Sequence, residues 1–468
     1  MSQAVVGSSI EERKSRRRVL ISSYIGSVIE WFDFYLYGTA AAIVFNVIFF
    51  PQFSALAGLL ASFAILGAGF LARPVGGIIW GHYGDRIGRK KMLVLSIMLM
   101  GVATVGIGLL PTYAQIGILA PIILVVLRLV QGLAAGGEWG GAALMTLEHA
   151  KTNRRGLWSS VAQMGVGSGI LLAAFVFSII SRLPEDAFLA WGWRLPFLGA
   201  GVLIVVGLWI RLGVEESPVF KEAQEKQAAK AGVREERPPA LELLKNQWRT
   251  LCLAIMIVIG PFTTSAVFIT FGAAYAVQLG FEASQATTGL LVAQIAALTC
   301  VPLAAGISDY IGRRPVYMAG AVMLGISSFI IFTLFNTLSV PLLVLGITIA
   351  YATHSFMYGP MAAFLAELFA TGNRYTGASI GYQGAAAIGG GFGPLIATSL
   401  LVFGGGPPNT LYVSIFMALT CVVSFVGAYL VKETYRIDLN RITEEAVVSN
   451  VVSTDGGQQT STPSKSVN

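Results

Sequence analysis

The chain has 468 residues, of which 55% are hydrophobic and only 12% charged, too little polar surface for a water-soluble fold of this length. The net charge of +7 raises nucleic acid as a partner, but the Lys and Arg residues sit in short segments between long apolar runs, as in cytoplasmic loops of membrane proteins. Composition therefore excludes a soluble enzyme and a nucleic-acid binder, and places the chain in a lipid bilayer.

A membrane helix needs about 20 residues. Windows of at least about that length lie near 19–46, 55–80, 91–110, 117–147, 157–181, 195–212, 250–276, 286–305, 315–336, 341–366, 377–403 and 411–432. Residues 1–18 form a basic N-terminus. The apolar run after it is not a signal peptide, because it holds Glu30 and Asp33 and lacks a cleavage site, and it reads as the first span. Residues 19–212 make an N-terminal six-helix bundle, 213–248 a partly helical cytoplasmic linker, 249–432 a C-terminal six-helix bundle and 433–468 a tail, disordered from about Ser449. The basic segments alternate with loops at Pro51, Pro111, Gly280, Pro341 and Pro407 that carry no cation. Arg182 and Arg194 are the exceptions, and both termini are assigned to the cytoplasm of a bacterial inner membrane. Cys252, Cys300 and Cys421 lie in apolar runs without metal-ligand spacing, so no metal or cofactor is expected.

The polar stretch Gly81 to Lys91 reads as a tight loop between two spans, and Ala305 to Pro315 is a weaker copy at an offset of 309 − 85 = 224. Glu148 and Arg155 recur as Glu367 and Arg374 at 367 − 148 = 219, which together point to an internal duplication. Asp85 with Arg89, Glu148 with Arg155, Asp309 with Arg313 and Glu367 with Arg374 fall at the cytoplasmic face. Ion pairs there that form only when the inner helix ends meet would gate an outward-facing state. Clustered glycines in the fourth, fifth and eleventh spans suit close helix packing.

Charge also lies deep. At about 1.5 Å per residue, Glu30 is about 18 Å into the first span, near the midplane, with Asp33 one turn further on the same face. Arg73 and Glu138 are about 12 and 15 Å from their helix ends, and Arg128 lies nearer the outside. Each such charge costs roughly 3 kcal/mol or more unless it meets a partner or a watery cavity. Glu30, Asp33 and Glu138 are the proton-coupling candidates, the acids outnumbering the bases. Arg73 and Arg128, with Tyr37 and Gln163, are candidates for an anionic substrate, against the alternative of ion pairs that only clamp helices. The second half offers an almost uncharged polar wall that includes Thr263, Thr264, Ser265, Tyr275, Tyr351, His354, Tyr358, Tyr382 and Gln383. Of these, His354, Tyr358, Tyr382 and Gln383 are the chosen substrate contacts.

Gly81-xxx-Asp85-Arg86-x-Gly88-Arg89-Lys90 and Arg128-Leu-Val-Gln131-Gly132 resemble loop and fourth-helix motifs of the major facilitator superfamily. Glu30-Trp31-Phe32-Asp33-Phe34, Gly136-Gly137-Glu138-Trp139-Gly140-Gly141, Trp191 to Phe197, Glu216-Ser217-Pro218 and Arg374-Tyr375-Thr376-Gly377 resemble its metabolite:proton symporter family over about residues 18 to 435. Leu36 to Ala41 with Val44-Phe45-Asn46 and Phe49-Phe50-Pro51 is most similar to the shikimate-type members. The resemblance implies twelve helices in two pseudo-symmetric bundles, alternating access, and proton-driven uptake of shikimate, other carboxylates, proline or betaine. Two departures are Ala305 in place of the leading glycine of the second loop motif, expected to loosen that turn, and a tail without coiled-coil heptads, which weighs against betaine. The expectation is an all-α membrane protein that imports a small organic acid with protons, functions as a monomer, and has no enzymatic constellation. A zwitterion symporter and a non-transporting membrane sensor are the alternatives.

Overall fold

The computed structural model describes residues 2–180, 182–213, 239–370 and 372–437. Most of the expected linker, including the Glu216-Ser217-Pro218 motif, and the tail beyond 437 lie outside the described residues.

Among the described residues, 12 helices are long and apolar enough to cross a membrane: Arg17–Ala40, Ala64–Gly84, Lys90–Leu109, Leu119–Glu148, Arg155–Ile180, Phe188–Leu212, Trp248–Gln278, Ser284–Ile311, Arg313–Phe335, Val340–Glu367, Arg374–Phe403 and Leu411–Leu430. They are called the first to twelfth spans below. The helix carrying the first span begins at Ser2, so the backbone of the basic N-terminus is itself helical.

The polar stretch after the second span is not the loop its charges suggest. The helix runs unbroken from Ala55 to Ile87 and a new one starts at Arg89, so Gly88 alone makes the turn, with φ 115°. A 33-residue helix is about 50 Å long. Its polar end therefore projects past a hydrocarbon core of about 30 Å, and the charges have no reason to unwind it. Gly312 repeats the device at φ 111°, and 312 − 88 = 224 reproduces the repeat offset. Only glycine takes this backbone without strain. Ala305, expected to loosen that turn, is buried inside the helix Ala283–Ile311 and takes no part in it.

Within the first half the first span packs on the fifth, the second on the fourth, and the third on the fourth and sixth. The second half pairs its eighth with its tenth, its ninth with its tenth and twelfth, and its seventh with its twelfth. Glycine makes the closest of these approaches possible. A methyl group at Gly165 would stand 2.6 Å from the Tyr24 carbonyl, and one at Gly132 would overlap the Gly69 carbonyl. The halves meet through the second and eleventh spans and through the fifth and eighth.

Candidate functional site

Ser22, Ser23, Gly26, Glu30, Asp33 and Tyr37 recur at spacings of three and four, and this stripe of the first span faces the interior of the first half. Glu30 and Arg73 are 2% and 4% exposed, and Arg73 Nη1 donates to Glu30 Oε1 at 3.1 Å. The Arg73 guanidinium also lies over the rings of Phe70 and Phe34, at 4.9 and 5.4 Å from their centroids. Asp33 accepts from Thr104 Oγ1 at 2.6 Å and from Gln131 Nε2 at 2.9 Å on both oxygens, with Arg128 Nη1 at 3.9 Å. Arg128 in turn donates to Gln131 Oε1 at 3.0 Å and covers the Tyr37 ring at 4.2 Å.

The third acid changes the expected balance. Glu138 is paired with Arg211 through both guanidinium Nη nitrogens and accepts from Ser96 Oγ at 3.1 Å. Arg211, inside the sixth window but not among the site candidates, is 3% exposed and belongs to the sixth span. Three carboxylates thus face three arginines, and the expected excess of acid is absent at these positions. The apolar residues on both sides of Arg211 were the signal that it lies in the span.

A narrow cleft opens between the halves. Trp31, Gln163, Ser265, Gln294, Tyr351, His354 and Tyr358 give it polar and aromatic walls, and Ile170, Pro261, Phe262 and Leu298 contribute apolar ones. Polar and aromatic groups that converge between two halves suit a small molecule. Of the sequence candidates for substrate, Gln163, His354 and Tyr358 line it. Arg73, Arg128 and Tyr37 do not; they are committed to the ion-pair layer behind Phe34 and Phe70. Tyr382 stacks on Trp139 with centroids 3.6 Å apart, and Gln383 Nε2 donates to the carbonyls of Ala135 and Gly136 at 3.1 and 3.3 Å. Both therefore join the halves below the cleft rather than line it. Trp31 and Gln294 were missed, because periodicity does not fix which way a helix face turns. The cleft and the ion pairs communicate through Tyr358, whose hydroxyl is 3.4 Å from that of Tyr382 and within electrostatic range of Glu30.

Below the cleft the halves are fastened at the end that carries the basic loops. Tyr375 Oη donates to the Gly137 carbonyl at 2.7 Å, and Arg374 Nη1 lies 3.4 Å from Glu148 Oε1 with both side chains fully buried. The Asp309 carboxylate accepts from the Gly156 and Leu157 amides at 2.8 and 2.9 Å, at the start of the fifth span. Asp309 pairs with Arg313 as expected, and the other acids make contacts that were not expected. Glu148 bonds across the halves to Arg374, while Glu367 bonds to Arg313 at 3.4 Å and to Thr434 Oγ1 at 2.7 Å. Arg155 Nη1 donates to the Ile437 carbonyl at 2.6 Å. Arg313 also holds Asp309 at 2.7 Å. The side chains of Asp85 and Arg89 lie outside the described residues. Glu433 accepts from the Arg313 and Arg314 amides at 2.8 and 3.0 Å, a cap that sequence reading had not found.

The profile of the Major Facilitator Superfamily matches residues 23–305 and 253–454. The Shikimate transporter of Escherichia coli (strain K12) is 41% identical over 424 residues, 90% of this chain and 95% of that protein. The Inner membrane metabolite transport protein YhjE of the same organism is 39% identical, over 87% of this chain and 93% of its own length. The Proline/betaine transporter of Escherichia coli (strain K12) is 30% identical, over 93% of this chain and 87% of its own. Among solved structures, the proton:xylose symporter XylE bound to 6-bromo-6-deoxy-D-glucose superimposes with a TM-score of 0.78 at 18% identity, covering 93% of this chain and 99% of that one.

Proposed function

The chain belongs to the Major Facilitator Superfamily, and from that premise we propose that it is a symporter that brings a small organic acid of the shikimate type and protons into a bacterial cytoplasm by alternating access. The observation that carries this reading is the contact between two unlike layers. A cleft with uncharged polar and aromatic walls adjoins, through Tyr358, a buried pair, Glu30 and Arg73. The substrate ring is assigned to Trp31, and its hydroxyls to Gln163, Gln294, Ser265, Tyr351 and His354. Its carboxylate points toward Tyr358 and the field of Arg73. Glu30 and Asp33 take the proton, because an anion nearby disfavours their ionised form and favours that gain. The positive-inside rule makes the basic end cytoplasmic. On that assignment the fastened halves are closed inward, and the state described here accepts ligand from outside. The protein acts as a monomer, since one chain supplies both walls of the cleft.

Purified protein in proteoliposomes with an acidic exterior is expected to accumulate radiolabelled shikimate, and to stop when the proton gradient is collapsed. Accumulation that persists without the gradient rejects coupling. Uptake of betaine in preference to shikimate favours the zwitterion reading instead, in which Trp31, Tyr351 and Tyr358 would hold the quaternary ammonium.

A further inference from the structure

The pair Glu138–Arg211 has no place in the cleft, yet it is not sealed within the first half. A second crevice, narrow enough to hold little more than a water molecule, lies toward the basic end between the first, third, fourth and sixth spans and reaches Arg211. Ser22, Ser23 and Lys90 give it polar walls, and Lys90, at its mouth, is partly exposed. The Arg211 side chain is 3% exposed, and its Nε is buried with no hydrogen-bond partner. On its inner side Arg211 meets the first span at Gly26, one turn before Glu30. A methyl group there would overlap the guanidinium and the Glu138 carboxylate, so the pair nests directly against the helix that carries Glu30. Glu30 is within electrostatic range of Glu138, Arg211, Arg73 and Asp33. The charged groups that meet Glu138 are Arg211 from the sixth span and Glu30 from the first, with Arg73, Asp33 and Arg128 beyond Glu30 and Lys90 across the crevice from Arg211.

We infer that Glu138 with Arg211 is the site from which the transported proton leaves, through the crevice at Ser22 and Ser23 and apart from the route the substrate takes. The inference rests on the proton-coupled reading above. A proton bound at Glu30 passes to the Glu138 carboxylate through water, which restores the Glu30–Arg73 ion pair and makes Glu138 a neutral acid. Arg211 then holds an uncompensated charge that faces the crevice. Loss of the proton from Glu138 to water at Ser22 and Ser23 re-forms the Glu138–Arg211 pair, so one proton enters from the cleft and one leaves at the basic end. Such a route needs no opening of the cross-half contacts, which the substrate does need.

The test uses the full chain in proteoliposomes loaded with a pH-sensitive dye, with shikimate as the probe. Glu138→Gln keeps the shape of the side chain and one acceptor oxygen toward Arg211, but cannot carry a proton. Shikimate-driven proton entry is expected to fall on the order of 100-fold, the usual loss for a positioned acid–base group, while exchange of labelled shikimate at equal pH continues. A helix clamp alone would move both together or neither. Proton entry at the wild-type rate in Glu138→Gln overturns the inference. If that variant is not recovered in the membrane, Ser22→Leu decides, because it fills the crevice away from the pair. It is expected to slow proton entry and spare exchange, and an unchanged proton rate overturns the proposal. Wild-type protein that exchanges shikimate without moving protons would overturn the coupling reading and this inference with it.

Discussion

Glu148→Gln tests whether the buried pair at the basic end holds the halves together. Glu148 and Arg374 come from opposite halves, lie 3.4 Å apart and have no exposed side-chain surface. Removing one charge of such a pair strands the other in low dielectric, at a cost of about 3–5 kcal/mol. Arg374 keeps a bond from Nε to the Phe369 carbonyl at 3.2 Å, and the open state lets water reach it. The lower end, about 3 kcal/mol, therefore applies to the closed state alone and shifts the ratio of closed to open about 150-fold. Spin labels at Tyr83 and Tyr310, which are 47% and 76% exposed on the second and eighth spans, report this opening as a longer distance, after the three native cysteines are replaced by serine. A distance distribution identical to that of the parent would refute the gating role.

Gln294→Leu removes a polar group from the cleft wall and is expected to raise the KM for shikimate about tenfold with little change in kcat, the effect of one lost hydrogen bond in a desolvated site. Arg73→Gln leaves Glu30 buried without its cation, and a loss of about 3 kcal/mol or more should appear as a lower Tm. Adding Glu30→Gln should return most of that loss, and a double variant no more stable than Arg73→Gln would show that the pair is not coupled. Ile437→Ala trims a side chain packed against a cluster that includes Trp80 and Leu144 from one half and Ala363 and Tyr375 from the other. About 1–2 kcal/mol of closure should go with it, read by the same spin labels.

The twelve spans and the duplication were legible because each rests on composition over about 20 residues, or on glycine and arginine at a fixed offset. Which charges pair was not legible. Glu148 and Arg155 share a spacing with Glu367 and Arg374, but the contacts run from Glu148 to Arg374 and from Glu367 to Arg313. Sequence spacing ranks neighbours along one helix, whereas these bonds depend on how helices rotate and meet. The same limit hid Arg211. It lies one residue from the end of its span, and only packing against Gly26 shows that its head turns inward. Gln294 was overlooked because one amide in an apolar helix carries no periodic signal, although the structure turns it into the cleft. The loop motif misled in a different way. Charge excludes residues from hydrocarbon but says nothing of whether a helix ends there, and Gly88 rather than Asp85 or Arg86 makes the turn.

The balance of charge in the first half bears on why proton and substrate would move together. Three carboxylates and three guanidinium groups leave the buried layer neutral. A proton on Glu30 or Asp33 adds one positive charge to it, and an anion in the cleft adds one negative charge beside it. Each alone leaves an uncompensated charge away from water, and both together do not. For two unit charges about 8 Å apart at an effective dielectric of about 20, the mutual stabilisation is about 2 kcal/mol. That is roughly a 30-fold gain in the affinity of each for the protein that holds the other. Arg73 and Arg128 then need not touch the substrate to favour it. On the proposed symport, their task would be to hold the layer at neutrality, so that the first ligand to bind creates the charge that the second removes.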